Sequence, residues 1–512
     1  MKQFLDKLHK NKWLTPSILA MQLACTHPAH HFGTDTTLLV SHTNTPEKCC
    51  PDGDASMLII QSMAHYILEN INHQAKFHAC FSKPNPPLGA IIDKFKGVKA
   101  VYFYDLHPDI SNYTLDATHL HVYDHHLTSL GMDTSSGPFA TLSKQQIKAV
   151  LSNVSGTHLA AYHFMHLIFQ YYKTTAKPFA ELKSEFNKEG AALQAIHAFA
   201  YMRKLAPIVA GDLDISTDAP IKKLLTLNML NLLENIGLTD LYSLGGGKQL
   251  PAFNPIDLTS NTLSALLTDT LAGIKQKGIT CPTITKESIT MNVYDHLFQT
   301  ASTFKRDGRE AMMDKASLAH MIQHLDNLAL TPTMQEKLAP YLSKKYDLFA
   351  LMRGVGPSLL PPMRYLTEKV LLDGEAVELI YFPFSPSSSC AGNEVLDLLE
   401  FNIEEKERFI QATQGGTLRE IERYIQEIIA PSESGTKQLC ILEGAASVSF
   451  RANFDMIDYD FEHNKVINHL SQLGINGGGH PRAAGCSKTD PGFLKFKAQV
   501  LNNQVRLPLA TT

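Results

Sequence analysis

Carboxylates and imidazoles gather at four places in the first half of this 512-residue chain: His42 with Asp52 and Asp54, Asp105, the triplet Asp124-His125-His126, and Asp212. Each place follows a short apolar run that reads as a buried strand: Thr37-Leu38-Leu39-Val40, Val98 to Tyr104, His119 to Tyr123, and Ile208-Val209-Ala210. A single Asp after a strand is an ordinary turn former or helix cap, and a single His there makes a local hydrogen bond. Several such groups on successive strand ends are much harder to explain that way. Carboxylates gathered at one sheet edge repel each other unless cations hold them, so these residue types point to metal-ion chemistry.

The elements that must position them alternate. After the first strand, Ala55 to Asn70 carries apolar residues at helical spacing (Ile59/Ile60, Met63/Ala64, Ile67/Leu68), and Ser155 is placed to cap a helix through Leu159, Tyr162 and Phe169. Strands alternating with helices predict an α/β fold with a parallel sheet, whose ligand site lies at the carboxyl ends of its strands. Residues 216–350 read as a helical insertion. Within it, Gly245-Gly246-Gly247-Lys248 lacks the upstream glycine and following Ser/Thr of a phosphate loop and reads as a surface turn. Proline and glycine punctuation at Gly354 to Pro362 marks a linker, taken as 351–374. A second, smaller α/β domain is expected over 375–512, starting with a strand at Val377 to Tyr381 and carrying a loop at Ser385 to Ser389 and a charged helical stretch from Glu404 to Ile429.

Composition narrows the class. At 44% hydrophobic and 19% charged, the chain has the balance of a soluble globular protein, and a formal charge of −4 argues against coating DNA through bulk positive charge. Its eight cysteines follow no repeating spacing, which fits reduced thiols in a cytoplasm. Lys2, Lys7, Lys10 and Lys12 precede an apolar stretch, but Thr15, Pro16, Ser17 and Gln22 interrupt it, so an amphipathic helix is expected rather than a signal peptide. No stretch approaches the length of a membrane span. The histidines His27, His30 and His31 read as an incidental surface cluster.

Further motifs carry a resemblance. Pro51-Asp52-Gly53-Asp54-Ala55 precedes Asp105 and Asp124-His125-His126 in order, and far downstream stands Gly477-Gly478-Gly479-His480-Pro481-Arg482-Ala483-Ala484-Gly485, with Ser449-Phe450-Arg451-Ala452-Asn453 ahead of it. This set resembles the DHH phosphoesterases with their associated DHHA1 domain, and Gly392-Asn393-Glu394 is similar to the oligoribonuclease-like (nanoRNase) branch. The resemblance covers roughly residues 37–215 and 375–490.

The resemblance implies a parallel-sheet DHH domain over 1–350 and a DHHA1 substrate-binding domain over 375–512. It implies one metal held by His42, Asp52 and Asp105, and a second held by Asp54, Asp105, His125 and Asp212, with Asp105 bridging. Asp124 would orient a histidine and His126 would meet the scissile phosphate. Oxygen-rich ligands with some imidazole suit two Mn²⁺ ions, with Mg²⁺ or Co²⁺ as substitutes. Such a pair activates a water and stabilises the leaving oxygen. In the second domain, Gly477, Gly478, Gly479, His480 and Arg451 would hold an anionic substrate. Two departures stand out. His42 lies ten residues before Asp52, a longer separation than in the family motif, with Cys49-Cys50 just ahead of Pro51 as an alternative, softer ligand source. The fourth motif could be Asp212 or Asp214.

The function implied is metal-dependent hydrolysis of phosphodiester bonds in short oligonucleotides or dinucleotides. A cyclic dinucleotide phosphodiesterase and a catalytically inactive nucleotide-binding protein of the same fold are the alternatives. A homodimer is allowed, and no membrane partner is expected.

Overall fold

A short parallel sheet organises the first half of the chain. Its strands are β1 (Thr37–His42), β2 (Phe77–Ser82), β3 (Ala100–Tyr104) and β4 (His119–Tyr123), in the spatial order β2-β1-β3-β4. The computed structural model describes residues 32, 36–42, 50–82, 88–108, 119–126, 154–243, 315–328, 366–372, 374–382, 437–444, 447–460, 462–463 and 465–498. All three strand pairings are parallel, and Ser41 lies opposite Tyr104 while Tyr104 lies opposite Tyr123. That register brings the residues following β1, β3 and β4 to one edge of the sheet.

The sheet separates two unlike layers. Leu38, Val40, Cys80, Val101, Phe103 and Leu120 form an apolar face packed on the short helix α2 (Leu88–Ile92). The alternate residues face α1 (Pro51–Asn70) and α3 (Gly156–Tyr171), as the 2-residue period of a strand requires. Ser41 Oγ donates to the Gly53 carbonyl at 2.7 Å, and the Tyr104 hydroxyl meets His163 Nδ1 at 2.9 Å. Tyr123 stacks on His163 with ring centroids 4.3 Å apart. Helix α1 starts where Pro51 fixes φ at its first position, with Asp52 and Asp54 in the first turn, where the helix dipole favours negative charge. Ser155 caps α3 by accepting from the His158 amide, as its position in the sequence predicts.

Among the described residues, this unit also holds helices α4 (Lys177–Asn187), α5 (Ala191–Ile196), α6 (Ala198–Ala210), α7 (Pro220–Leu224), α8 (Leu227–Ser243) and α9 (Lys315–Leu328). One sequence expectation is corrected here, and one strand is added. Ile208-Val209-Ala210 is the end of helix α6 rather than a strand; Phe199, Met202, Leu205 and Val209 bury one helical face, and Pro207 sits inside the helix. Strand β2, which no motif marks, forms one edge of the sheet.

A second compact unit holds a six-stranded sheet. In chain order its strands are β5 (Leu366–Leu372), β6 (Glu375–Phe382), β7 (Lys437–Glu443), β8 (Ser447–Ala452), β11 (Gly478–Gly479) and β12 (Ala483–Ser487). In space they run β11-β12-β8-β7-β6-β5; the β6–β7 pairing is parallel and the others are antiparallel. Strands β9 (Ile457–Asp460) and β10 (Lys465–Asn468) pair separately, and the short helices α10 (His469–Gln472) and α11 (Pro491–Phe496) follow them in sequence. The stretch assigned to a linker, 351–374, thus contains a strand that pairs with β6. The expectations at Gly245 to Lys248, Gly354 to Pro362, Ser385 to Ser389, Gly392 to Glu394 and Glu404 to Ile429, and those at His27, His30, His31 and Cys49, lie outside the described residues. No helix among the described residues is long and apolar enough to cross a membrane.

Candidate metal centre

Asp105 is the hub of the sheet edge. It follows β3 directly and adopts φ of 58°, a left-handed conformation that Asp tolerates better than most residues. Its amide donates to the Tyr123 carbonyl at 3.0 Å, which ties the turn after β3 to the end of β4. The Asp105 carboxylate is thereby turned back over the strand ends. Oδ1 lies 3.2 Å from His125 Nε2, whereas Oδ2 lies 3.5 Å from His42 Nδ1 and accepts from Cys50 Sγ at 3.3 Å. Burial alone would raise its pKa, but hydrogen bonds and charge from His125 and His42 outweigh burial and hold the carboxyl well below its usual range.

Asp52 is fixed differently. The first turn of α3 closes over it: Gly156 N donates to Oδ2 at 2.7 Å, Thr157 N to Oδ1 at 2.9 Å, and Thr157 Oγ1 to Oδ1 at 2.5 Å. A helix N-terminus with its unsatisfied amides is a natural seat for a carboxylate. The approach is possible because residue 156 is glycine; a Cβ there would come within 2.6 Å of Asp105 Cβ and 2.9 Å of Asp52 Oδ2. Asp52 Oδ2 is also 3.7 Å from His125 Nε2.

The same His125 nitrogen is 3.5 Å from Oδ2 of Asp240, on α8. Asp240 has no counterpart among the sequence candidates. Burial lowers the His125 pKa, but the Asp105 hydrogen bond and the charges of Asp240, Asp105 and Asp52 outweigh it and push the imidazole up to about 10. Burial and the neighbouring Asp105 also push Asp240 up to about 6, against the lowering influence of His125. Asp52 moves up as well, through burial and the Asp105 and Asp240 charges. Three buried carboxylates around one imidazolium exceed the positive charge available to them, which is the electrostatic condition that a divalent cation relieves. Asp52, Asp105 and His125 have donor atoms within 4.8 Å of one another, as do His42, Cys50 and Asp105. These oxygen and imidazole donors fit a divalent ion.

Beside this cluster, Asp124 braces His126. Its Oδ1 is 2.6 Å from His126 Nδ1 and its Oδ2 is 3.5 Å from His107 Nδ1. Burial opposes its ionisation, but the His126 charge and the hydrogen bonds of His107 and His126 hold the carboxyl well below the usual range. Conversely, Asp124 raises the His126 pKa against the lowering effect of burial.

The sequence candidates therefore separate. His42, Asp52, Asp105 and His125 converge, despite the long stretch between His42 and Asp52. Asp54 is fully buried in the first turn of α1 but belongs to none of the metal-ligand clusters found among the described residues. Asp212 lies elsewhere. It follows helix α6, and its Oδ2 accepts from the Tyr172 hydroxyl at 2.7 Å. Tyr172 packs on Tyr66, with centroids 5.6 Å apart, and Tyr66 is separated from Asp52 by about 20 Å along α1 at ~1.5 Å per residue. Asp214 shares that turn, its amide bonding Asp212 Oδ1. Asp240, and neither Asp212 nor Asp214, occupies the fourth position at the cluster.

In the second unit, the glycine-rich stretch is a hairpin. Gly478 and Gly479 pair with Gly485 and Ala484, and Ala483 lies opposite Arg451. Gly479 has φ of 148°, and a Cβ there would lie 2.5 Å from the Ala483 carbonyl oxygen. The His480 amide donates to that same carbonyl at 2.7 Å, so it closes the hairpin and is not turned toward a ligand. Arg451 is 5% exposed and donates from Nη1 to the Phe450 carbonyl. Arg482 pairs with Asp455 at 3.2 Å.

No protein-family model matches the chain. No curated protein matches it either. Among solved structures, it is similar to a protein described as a member of a family of ribosomal proteins with a DHH domain, at 12% identity and a TM-score of 0.34, over 97% of this chain and 92% of that one. A likeness that distant carries no argument about function.

Proposed function

We propose that this protein is a metal-dependent phosphodiester hydrolase acting on short oligonucleotides, with its active centre at the carboxyl ends of β1, β3 and β4. The observation that carries the reading is the position of Asp105: one carboxylate oxygen faces His125 and the other faces His42. A carboxylate so placed can serve two cations at once. The motif order resembling DHH phosphoesterases supplies the reaction class.

His42, Asp52, Asp105, His125 and Asp240 would hold the ions, with Mn²⁺ suited to the donor set and Mg²⁺ or Co²⁺ as substitutes. When bound, divalent ions supply an activated water nucleophile and stabilise the leaving oxygen of an in-line displacement. The chain's own groups do the rest. Asp124 holds His126 by Nδ1, which makes Nε2 the nitrogen that would donate to an anionic phosphate oxygen. The first turn of α3 aims the Asp52 carboxylate by donating two amides to it. Arg451 and His480 are the residues proposed to contact the nucleotide away from the scissile bond.

The test is hydrolysis of a panel of di- to decanucleotides, cyclic dinucleotides and bis-p-nitrophenyl phosphate with Mn²⁺, before and after chelation. Chelator-sensitive cleavage favouring short linear substrates is expected. Preference for the cyclic substrates would replace the substrate assignment, and binding without turnover on any of them would make the protein a nucleotide-binding one.

A further inference from the structure

We propose that Asp105 divides the centre into two chemically different ligand sets, and that Cys50 makes one of them a thiol-containing site selective for a borderline or soft divalent ion such as Zn²⁺ or Co²⁺. The inference rests on the metal-centre reading above and adds to it a ligand of another class.

Cys50 precedes Pro51 at the N-cap of α1, with extended backbone (φ −106°, ψ 104°) and no side-chain capping hydrogen bond. The N-cap position favours Ser, Thr, Asp or Asn, whose oxygens satisfy the first open amides of the helix. Cys50 forgoes that role. Its Sγ instead meets Asp105 Oδ2 at 3.3 Å, the oxygen that also faces His42 Nδ1 at 3.5 Å. Donor atoms of His42, Cys50 and Asp105 all lie within 4.8 Å of one another. His42 is only 8% exposed, and its Nε2 is buried without a hydrogen-bond partner among the described residues. An imidazole nitrogen, a sulfur and a carboxylate oxygen thus converge on one side of Asp105.

The other side is hard. Oδ1 of Asp105 faces His125, which is surrounded by Asp52 and Asp240. Oxygen donors suit Mn²⁺ or Mg²⁺, whereas a thiolate shifts preference toward Zn²⁺ and Co²⁺. On coordination the Cys50 sulfur forms a bond to the ion and loses its proton to solvent, and the hydrogen bond it gave to Asp105 is replaced by a shared cation. Without an ion, burial and the charges of Asp105, Asp240 and Asp52 hold the Cys50 thiol protonated, so the charge of the bound cation is what drives the proton off.

Co²⁺ reports this directly, because a thiolate ligand gives a near-ultraviolet charge-transfer band that nitrogen and oxygen ligands lack. Wild type and Cys50→Ser are titrated with Co²⁺ alone, and bound metal is counted separately after gel filtration. The expected result is the band in wild type and its loss in Cys50→Ser, which still retains Co²⁺ at the hard set, with Zn²⁺ affinity falling by about tenfold or more. Serine is a good N-cap, so the variant should fold. As a measurement on the unaltered protein, Zn²⁺ should slow alkylation of Cys50 by iodoacetamide, read by mass spectrometry, by a similar factor. Co²⁺ bound to wild type without the band, or alkylation indifferent to Zn²⁺, overturns the thiolate site and leaves the hydrolase reading intact. Wild type that binds no Co²⁺ at all overturns both.

Discussion

Asp240 Oδ2 lies 3.5 Å from His125 Nε2, the nitrogen that also faces Asp105 at 3.2 Å and Asp52 at 3.7 Å. A helix outside every recognised motif therefore completes the cluster. Replacing Asp240 with Asn should weaken Mn²⁺ binding by about 10- to 100-fold, the range seen when groups supporting a metal site are removed. Asp212→Asn should leave Mn²⁺ affinity unchanged, since Asp212 is engaged with Tyr172. Calorimetric titration of both variants decides between them; equal losses would remove the distinction drawn between the two carboxylates.

Gly156 is where the backbone of α3 meets the carboxylates. A methyl group there would press on Asp105 Cβ and Asp52 Oδ2. Neither neighbour can withdraw easily, because Asp52 is held by the amides of residues 156 and 157 and Asp105 by Tyr123. Gly156→Ala should cost about 1–3 kcal/mol, the usual range for overpacking, and weaken metal binding at the same time. Urea denaturation with and without Mn²⁺ measures both. A variant of wild-type stability with full metal affinity would mean that the helix terminus shifts freely.

How much of this the sequence discloses depends on how far each position relies on tertiary contact. The ends of β1, β3 and β4 are legible because each apolar run stops at a ligand-type residue, and parallel register alone then brings His42, Asp105 and Asp124 to one edge. The Ile208-Val209-Ala210 run misleads because three apolar residues before Gly-Asp look alike at the end of a strand or a helix, and Pro207 hides the helical continuity. Asp240 is illegible for another reason. Its position depends on α8 approaching α3 at Gly237, where a Cβ would come within 2.5 Å of Ser155 Oγ. The available signal is a carboxylate three residues after a glycine, in a helix that also carries Asn228, Asn231, Glu234 and Asn235. Cys50 is legible as a candidate, but only the fold places its sulfur on Asp105.

The second unit carries a separate pH dependence. Glu443 is buried, which raises its pKa, but hydrogen bonds from Lys497, Tyr381 and Lys488 outweigh burial and leave the carboxyl below its ordinary value. A depressed folded pKa means that ionised Glu443 stabilises the fold at pH values above the unfolded pKa of about 4.3, and that this contribution is lost as pH falls toward the folded value. Glu443→Gln should therefore be less stable than wild type near neutral pH, with the difference shrinking below about pH 4. Urea midpoints followed by circular dichroism from neutral to acid pH test the sign; a gap that widens on acidification would contradict it.

Asp124 and His126 provide the sharpest division between holding metal and handling substrate. Asp124 reaches His126 Nδ1 at 2.6 Å, and donor atoms of Asp105, Asp124 and His126 also lie within 4.8 Å of one another, so metal content has to be read beside turnover. If His126 donates to the phosphate, His126→Ala should lower kcat by about 100-fold or more, within the range for a group acting in proton transfer or charge stabilisation, while Mn²⁺ content stays at the wild-type level. Asp124→Asn keeps the shape of the brace but removes its charge, so it should lower kcat less than His126→Ala does. The double variant should be no worse than His126→Ala alone, because Asp124 acts through the imidazole it holds. Metal analysis alongside single-turnover kinetics on a dinucleotide measures each quantity. Loss of bound Mn²⁺ in His126→Ala would make His126 a ligand, and additive losses in the double variant would give Asp124 a role independent of the histidine.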